Sequence, residues 1–127
     1  MSFTTYTEDK VLDHICKGTS FTAPAQVYVA LYTSATTAAG GGTECTGSGY
    51  TRKVMGFTTA TSGATENNGD VEFPAATGSW GTITHTAILD ASSGGNMLME
   101  TALTASKAIS SGDVFRFQSG EFDVTLD

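Results

Sequence analysis

The chain has 127 residues, and this length predicts one domain spanning residues 1–127. Thirteen acidic residues against six Lys and Arg give a formal net charge of -7, which would repel a polyanion, so nucleic acid is not an expected partner. No stretch offers the ~18 apolar residues of a membrane span, and no basic segment precedes an apolar run at the N-terminus. The sequence therefore predicts a soluble protein made without a Sec-type signal and with no membrane partner.

A helix is predicted close to the start, after an N-terminal arm over residues 1–5. The pattern combines a capping box, an apolar stripe and a terminating glycine, and it places the helix at about residues 6–17. In chain order these signals are Thr5 with Glu8, then Val11, Leu12 and Ile15, then Gly18.

Beyond the helix, short apolar runs separated by Gly, Ser and Asn turns predict an all-β fold, an antiparallel β-sandwich or jelly-roll-like domain of about seven strands. Residues 26–33 are apolar on both faces, which indicates a central strand. The less regular alternation of 50–57 suits an edge strand. The other strands are predicted at 70–73, 82–89, 96–103, 113–118 and 122–126, with the last two joined as a hairpin by residues 118–121.

Residues 34–48 have no hydrophobic periodicity and contain three consecutive glycines. This composition predicts a long exposed loop that is either mobile or holds a partner. Residues 2–6, rich in Thr and aromatic side chains, also lack a core pattern, and extended chain of this kind can add to the sheet edge of a neighbouring protein.

Residues 80–90 contain Trp80, His85 and Asp90 and raise the question of a catalytic cluster. In an alternating strand Ile83, His85, Ala87 and Leu89 share one face, and His85 and Asp90 point to opposite faces, so no relay forms. No catalytic residue is therefore predicted. A glycan hydrolase with Asp90 facing Glu100 is the enzymatic alternative.

Trp80 lies between two glycines, and packing of its ring in or near the core is the favoured interpretation. An exposed stacking platform for a sugar or a protein partner, together with Tyr50, is the alternative. The two His and two Cys do not have the spacing of a metal site, so no metal and no cofactor are predicted. Cys16 and Cys45 are expected to be free thiols, with a disulfide within or between subunits as the alternative.

Three separated stretches carry a family resemblance: VLDHICKGTSFTAPAQVYVALYT, VEFPAATGSWGTITHTAILDASSGGNML and SSGDVFRFQSGEFDVTLD. They resemble small virion proteins of tailed phages and prophages labelled "phage tail fibre protein", which share an LDH-containing helix, TAPxxxYVALYT, WGxxTH and a terminal GxxxxTLD. The resemblance covers essentially the whole chain and implies a structural protein of the virion, made in the bacterial host cytoplasm.

The position on the virion stays open between two interpretations. Fibres are usually long trimers with repeats or heptads, which this chain lacks, so a capsid decoration (cement) protein bound to the major capsid protein or other virion proteins is favoured. A tail fibre or tail-tip module that binds host glycan or protein is the alternative. A homo-oligomer, dimer or trimer, is expected. The candidate partner contacts are Phe3, Thr4, Thr5, Tyr6, Thr43, Glu44, Cys45, Tyr50, Arg52 and Trp80.

Overall fold

A computed structural model describes residues 1–126; Asp127, the last residue of the terminal TLD motif, lies outside the described residues. Within that range the chain is mostly antiparallel strand with one short helix, which confirms the all-β sandwich predicted from the sequence. In chain order the elements are β1 (Ser2–Phe3), α1 (Thr5–Lys17), β2 (Tyr28–Tyr32), β3 (Lys53–Val54), β4 (Ala64–Glu66), β5 (Val71–Glu72), β6 (Gly81–Leu89), β7 (Met97–Ile109), β8 (Arg116–Phe117) and β9 (Asp123–Thr125).

The main sheet has five strands in the order β1-β7-β6-β2-β3, all antiparallel to their neighbours. The predicted central strand is confirmed as β2, whose Val29 and Leu31 are buried on one face and Ala30 and Tyr32 on the other. The predicted edge strand is confirmed as β3, although only Lys53–Val54 is strand. Apolar residues at consecutive positions are buried because both faces of β2 are covered.

An aromatic cluster forms the larger part of the core, against one face of the main sheet. Each ring meets a neighbour edge to face, with centroids between 5.1 and 6.4 Å apart, the geometry that aromatic quadrupoles favour. The cluster consists of Phe73, Trp80, Phe115, Phe117 and Phe122, all buried. Rings from the second half of the chain thus cover the β2 and β6 side chains.

The helix begins one residue earlier than the predicted capping box. Thr4, not Thr5, is the N-cap, and its Oγ1 accepts a hydrogen bond from the Thr7 amide at 3.5 Å. Gly18 ends the helix in the left-handed conformation at φ 71°, as predicted. The apolar stripe does not reach the core: Leu12 is 58% exposed and Ile15 74%. The buried residue of the helix, Thr7, lies in the first turn, and its hydroxyl donates to the Leu98 carbonyl of β7 at 2.8 Å.

The N-terminal arm belongs to the sheet of its own chain, whereas the sequence pattern favoured residues 2–6 as an extension of a neighbouring protein's sheet. Ser2 and Phe3 form β1, paired with Glu100 and Met99 of β7. Thr4 is buried, and its hydroxyl is satisfied there because it donates to the Met97 carbonyl at 2.6 Å. The arm adds to a sheet edge, but to the edge of its own chain.

The predicted C-terminal hairpin is wrong. β8 pairs with β5, and β9 pairs with β4, a strand that the sequence pattern missed. Asn67, fully buried, holds this arrangement: its side-chain amide donates to the carbonyls of Gly69 and Gln118, and its Oδ1 accepts from the Phe122 amide at 2.8 Å. The 118–121 turn is therefore fixed to a distant part of the chain, and its two strands diverge.

β6 and β7 form the longest pair, and β7 extends six residues beyond its predicted end at Leu103, to Ile109. Their register shifts between Ile83 and His85, a β-bulge. Strict alternation predicts Ile83 on the face of Ala87, but Ile83 packs in the aromatic core with Ile88 because the irregularity exchanges the faces.

The 34–48 segment contains no strand of the sheets but is not simply an exposed loop. Thr36 and Cys45 are buried. The segment returns along β2, where the Cys45 amide donates to the Leu31 carbonyl and the Thr33 amide to the Thr43 carbonyl. These bonds cover the part of β2 that β3 leaves unpaired.

Within residues 1–126 no helix has the length and hydropathy needed to cross a membrane.

Candidate binding cleft

A cleft of about 570 Å³ lies on the face of the main sheet opposite the aromatic cluster. The start of α1, the glycine-rich residues 38–42 and the 94–96 turn form its walls. Its floor is formed by five side chains. Tyr32, Leu89 and Met97 come from β2, β6 and β7, Glu44 comes from the 34–48 segment, and Arg52 directly precedes β3. The volume is within the range of about 300–1,000 Å³ typical of small-molecule sites.

Half of the residues predicted from the sequence to be partner contacts meet at this cleft. They come from two distant parts of the chain and are Thr4, Thr5, Tyr6, Glu44 and Arg52. Of the others, Thr43 is exposed and Phe3 is partly buried against the core. Whether these residues contact a partner stays a prediction.

Three predicted contact residues lie in the core region instead. Trp80 is 4% exposed and its indole N–H donates to the Ser48 carbonyl at 2.9 Å, so the core interpretation is confirmed and the exposed platform is wrong. Tyr50 packs edge to face against Trp80 at 5.4 Å, and its ring is not a free stacking surface. Cys45 is buried, and both cysteines are free thiols, as predicted.

An ion pair makes the floor of the cleft rigid. Arg52 holds Glu44 with two hydrogen bonds of 2.8 Å, from Nε to Oε2 and from Nη2 to Oε1. Its Nη1 donates to the carbonyls of Ala91 and Gly94 at 2.7 and 2.8 Å. One guanidinium therefore joins the end of the 34–48 segment to the turn between β6 and β7, in the bidentate geometry that Lys cannot reproduce.

The same network sets the protonation of its members. Burial pushes the pKa of Glu44 upwards, but hydrogen bonds from Arg52 and Tyr50 outweigh burial and hold this pKa below its usual value. The Tyr50 hydroxyl donates to Glu44 at 2.7 Å and accepts from the Leu31 amide at 3.0 Å. Burial, and to a lesser extent the Glu44 carboxylate, raises the pKa of Tyr50. At neutral pH the cleft thus presents an ionised carboxylate beside neutral phenols.

Glycines leave part of the wall without side chains. Gly40, Gly41 and Gly42 have φ angles of 93°, 84° and 81°, a run of left-handed backbone that other residues rarely adopt. At Gly41 a Cβ would meet nothing within 4 Å, whereas at Gly42 it would lie 3.1 Å from the Tyr32 ring. A ligand can therefore approach the backbone at Gly41, and Gly42 allows the loop to pack on Tyr32.

Tyr32 belongs to the cleft but was not among the predicted contact residues. Its strand position predicts burial, which is correct for the ring, since the side chain is 4% exposed. Sequence alternation says which face of β2 Tyr32 occupies but not that its ring lines a cavity. That placement depends on the 34–48 segment and α1, which come from other parts of the chain.

The carboxylates considered for hydrolysis are engaged elsewhere. Asp90 accepts from the Asn96 amide and side chain at 2.7 and 3.0 Å, and Glu100 accepts from the Thr36 hydroxyl at 3.1 Å. His85 Nδ1 lies 2.8 Å from the Thr84 hydroxyl. Within residues 1–126 no group of three or more His, Cys, Asp or Glu is arranged to hold a metal ion.

Over residues 2–125 the chain matches the family described as podophage GP4 fiber I protein gp80. No curated protein matches the chain. Because the match spans nearly the entire sequence, the chain belongs to this family of phage fibre proteins. The family confirms the resemblance at the level of a phage fibre-type protein and identifies the chain as a virion component.

Proposed function

We propose that this member of the podophage fibre family is a tail fibre or tail-tip module that binds the host surface through the cleft. The family match supports the tail alternative better than capsid decoration. The observation that carries the proposal is the preformed cleft, which has a rigid polar floor and bare backbone walls. A site whose groups are already held in place loses little entropy on binding.

Adhesion, rather than catalysis, fits the chemistry of the cleft. Glu44 is neutralised by a bidentate Arg52, and its lowered pKa makes it a poor proton donor at neutral pH. The raised pKa of Tyr50 keeps its phenol protonated at neutral pH, so it provides no phenolate to act as a base. Groups of this kind orient a ligand by hydrogen bonding and do not move protons.

The open edge of β7 is the proposed attachment to the virion. β1 covers β7 at Met99 and Glu100, and residues 103–106 pair with neither β1 nor β6. This stretch, Leu-Thr-Ala-Ser, carries no charge to protect its free backbone groups. An extended segment of another virion protein would continue the line of β1 along it, next to a cavity of about 360 Å³.

Immunogold labelling of purified virions with antibodies against this chain tests the proposal. We expect gold at the tail. Gold distributed over the capsid would reject the tail assignment and favour a decoration protein.

The attachment is tested separately with the variant Ala105→Pro. Ala105 is paired with neither β1 nor β6, so the purified variant should fold while its incorporation into virions is lost. Ala60→Pro, in an exposed loop, is the matched control and should be incorporated normally. Equal incorporation of the two variants would contradict attachment at this edge.

A further inference from the structure

The Tyr32 ring is buried, but the fold does not use its hydroxyl group. The side chain is 4% exposed, and within residues 1–126 its hydroxyl has no hydrogen-bond partner. Every described side-chain polar atom that is cut off from solvent does have a partner, so the hydroxyl reaches solvent. Since Tyr32 lines the cleft, that is where the hydroxyl opens. Buried tyrosines normally satisfy this group internally.

The neighbouring Tyr50 shows that polar partners are within reach of this region. Its hydroxyl makes two hydrogen bonds, with Glu44 and with the Leu31 amide. The pKa of Tyr32 is raised mainly by burial and, to a smaller extent, by the negative charge of Glu44. Tyr32 and Glu44 are partners in a backbone bridge and line the same cleft, and the Tyr32 hydroxyl is protonated at neutral pH, able both to donate and to accept.

Glu44 and Arg52 keep some hydrogen-bonding capacity for a ligand. Arg52 uses its Nε–H, both Nη1–H groups and one Nη2–H, which leaves one of the five guanidinium N–H groups. Glu44 Oε1 accepts one hydrogen bond, from Arg52, and has a further lone pair. The floor therefore offers a ligand an acceptor at Glu44, a donor at Arg52 and, at Tyr32, a hydroxyl that can do both.

Charge decides which ligands suit these groups. Glu44 and Arg52 neutralise each other, so a charged ligand would lose hydration without gaining an opposite charge. The overall charge of -7 further disfavours anions. Tyr6, Leu89 and Met97 add apolar surface to the same cleft. A neutral molecule with several hydroxyl groups and an apolar C–H face matches this combination.

We infer that the cleft binds a neutral saccharide, whose hydroxyl groups bond to Tyr32 and Glu44 and whose C–H surface lies against Tyr6. The inference rests on the proposed host-surface role and deepens it, because it names the ligand class and the residue that selects it. Loss of one hydrogen bond to a ligand hydroxyl costs roughly fivefold in affinity.

Titration of the isotope-labelled full chain with neutral sugars, followed by amide chemical shifts, tests the inference. The probes are glucose, galactose, mannose, rhamnose and N-acetylglucosamine, with glucuronic acid and glucosamine as charged counterparts. We expect at least one neutral sugar to shift amides of residues 38–42 and 94–97. The charged counterparts should bind several-fold more weakly.

The variant Tyr32→Phe removes the hydroxyl alone and, since that hydroxyl has no partner in the fold, should keep the stability of the parent chain. Its affinity for the sugar should fall about fivefold. Tyr28→Phe is the matched control: Tyr28 is on the same strand, but its hydroxyl bonds to Gln26 outside the cleft, and its affinity should be unchanged.

Absence of shifts with every neutral sugar, equal affinity of Tyr32→Phe and the parent chain, or equally tight binding of the charged sugars would overturn the inference. The titration uses the isolated chain and does not depend on where the chain sits in the virion. Gold on the capsid with a positive titration would reject the tail role alone, and gold on the tail with a negative titration would reject the saccharide site alone.

Discussion

The two faces of the main sheet differ in what covers them. On one face Val29, Leu31 and Ile88 pack against a closed cluster of aromatic rings. On the other, a small cluster centred on Ala30, Tyr32, Ala87 and Leu89 is covered by α1 and the 34–48 segment, which leave a cleft. Large rings fill space and stabilise the fold, whereas alanines and glycines leave space that a ligand can occupy. Substitutions on the two faces should therefore have different consequences.

The largest loss of stability is expected from Phe73→Ala on the aromatic face. Phe73 is 1% exposed and packs against Trp80 and Phe115, so the variant leaves a cavity and should lose about 3–5 kcal/mol of unfolding free energy. Urea denaturation measures the loss. Leu12→Ala, at a side chain 58% exposed, is the control and should change stability by less than about 0.5 kcal/mol. Similar losses in both variants would contradict a closed aromatic core.

A smaller loss is expected from Asn67→Ala, next to the same core. The variant removes the bonds to the Phe122 amide and to the Gly69 and Gln118 carbonyls, of which the Gln118 carbonyl keeps the Glu121 amide as a donor, at a cost of about 3 kcal/mol. The adjacent Asn68→Ala is the control, because Asn68 is exposed and its side chain makes one long bond of 3.5 Å to Phe57. If both variants unfold at the same urea concentration, Asn67 does not hold the C-terminal strands.

The smallest effect is expected from Glu44→Gln in the cleft, about 1–2 kcal/mol at neutral pH from weaker bonds to Arg52. The pH dependence gives the sharper measurement. The folded pKa of Glu44 is below its ordinary value of 4.5, so its carboxylate stabilises the fold above that pH and loses this contribution as pH falls through the folded pKa.

Stability should accordingly fall less in Glu44→Gln than in the parent chain when the pH is lowered from about 6 to about 3. Some dependence remains in the variant, because hydrogen bonds from Asn96 outweigh burial and lower the pKa of Asp90 too. Glu72→Gln, an exposed carboxylate on β5, provides the control and should keep the dependence of the parent chain. An unchanged pH profile in Glu44→Gln would show that the ion pair does not stabilise the fold.

Part of the aromatic face was predictable from the sequence. A run apolar at every position indicates a strand covered on both sides, and β2 is that strand. Trp80 between glycines also indicated core packing, as found. The pairing of the last strands was not predictable, because residues 118–121 have the local composition of a hairpin turn while Asn67, about fifty residues earlier, binds both sides of it.

The cleft was predictable only in part. The lack of a core pattern in residues 2–6 and 34–48 indicated contact segments, and five of the ten predicted contact residues do line the cleft. The same argument also selected Cys45, which lies in the core and not in the cleft, because a thiol can be buried against a backbone carbonyl, here that of Trp80, without any apolar periodicity. Tyr32 was not predicted as a contact residue, because its position in a strand indicated burial but not that its ring lines a cleft.

By itself the sequence determined a β-rich chain with one short helix, its central strand, the core position of Trp80 and its family resemblance, because these depend on side-chain type and on periods of a few residues. Tertiary structure alone decided that the N-terminal arm pairs with β7, that β8 and β9 pair with different strands, and that Tyr32 lines a cleft. Each of these depends on a hydrogen bond or contact between residues far apart in the chain, and local pattern carries no information about which distant backbone group will be the partner.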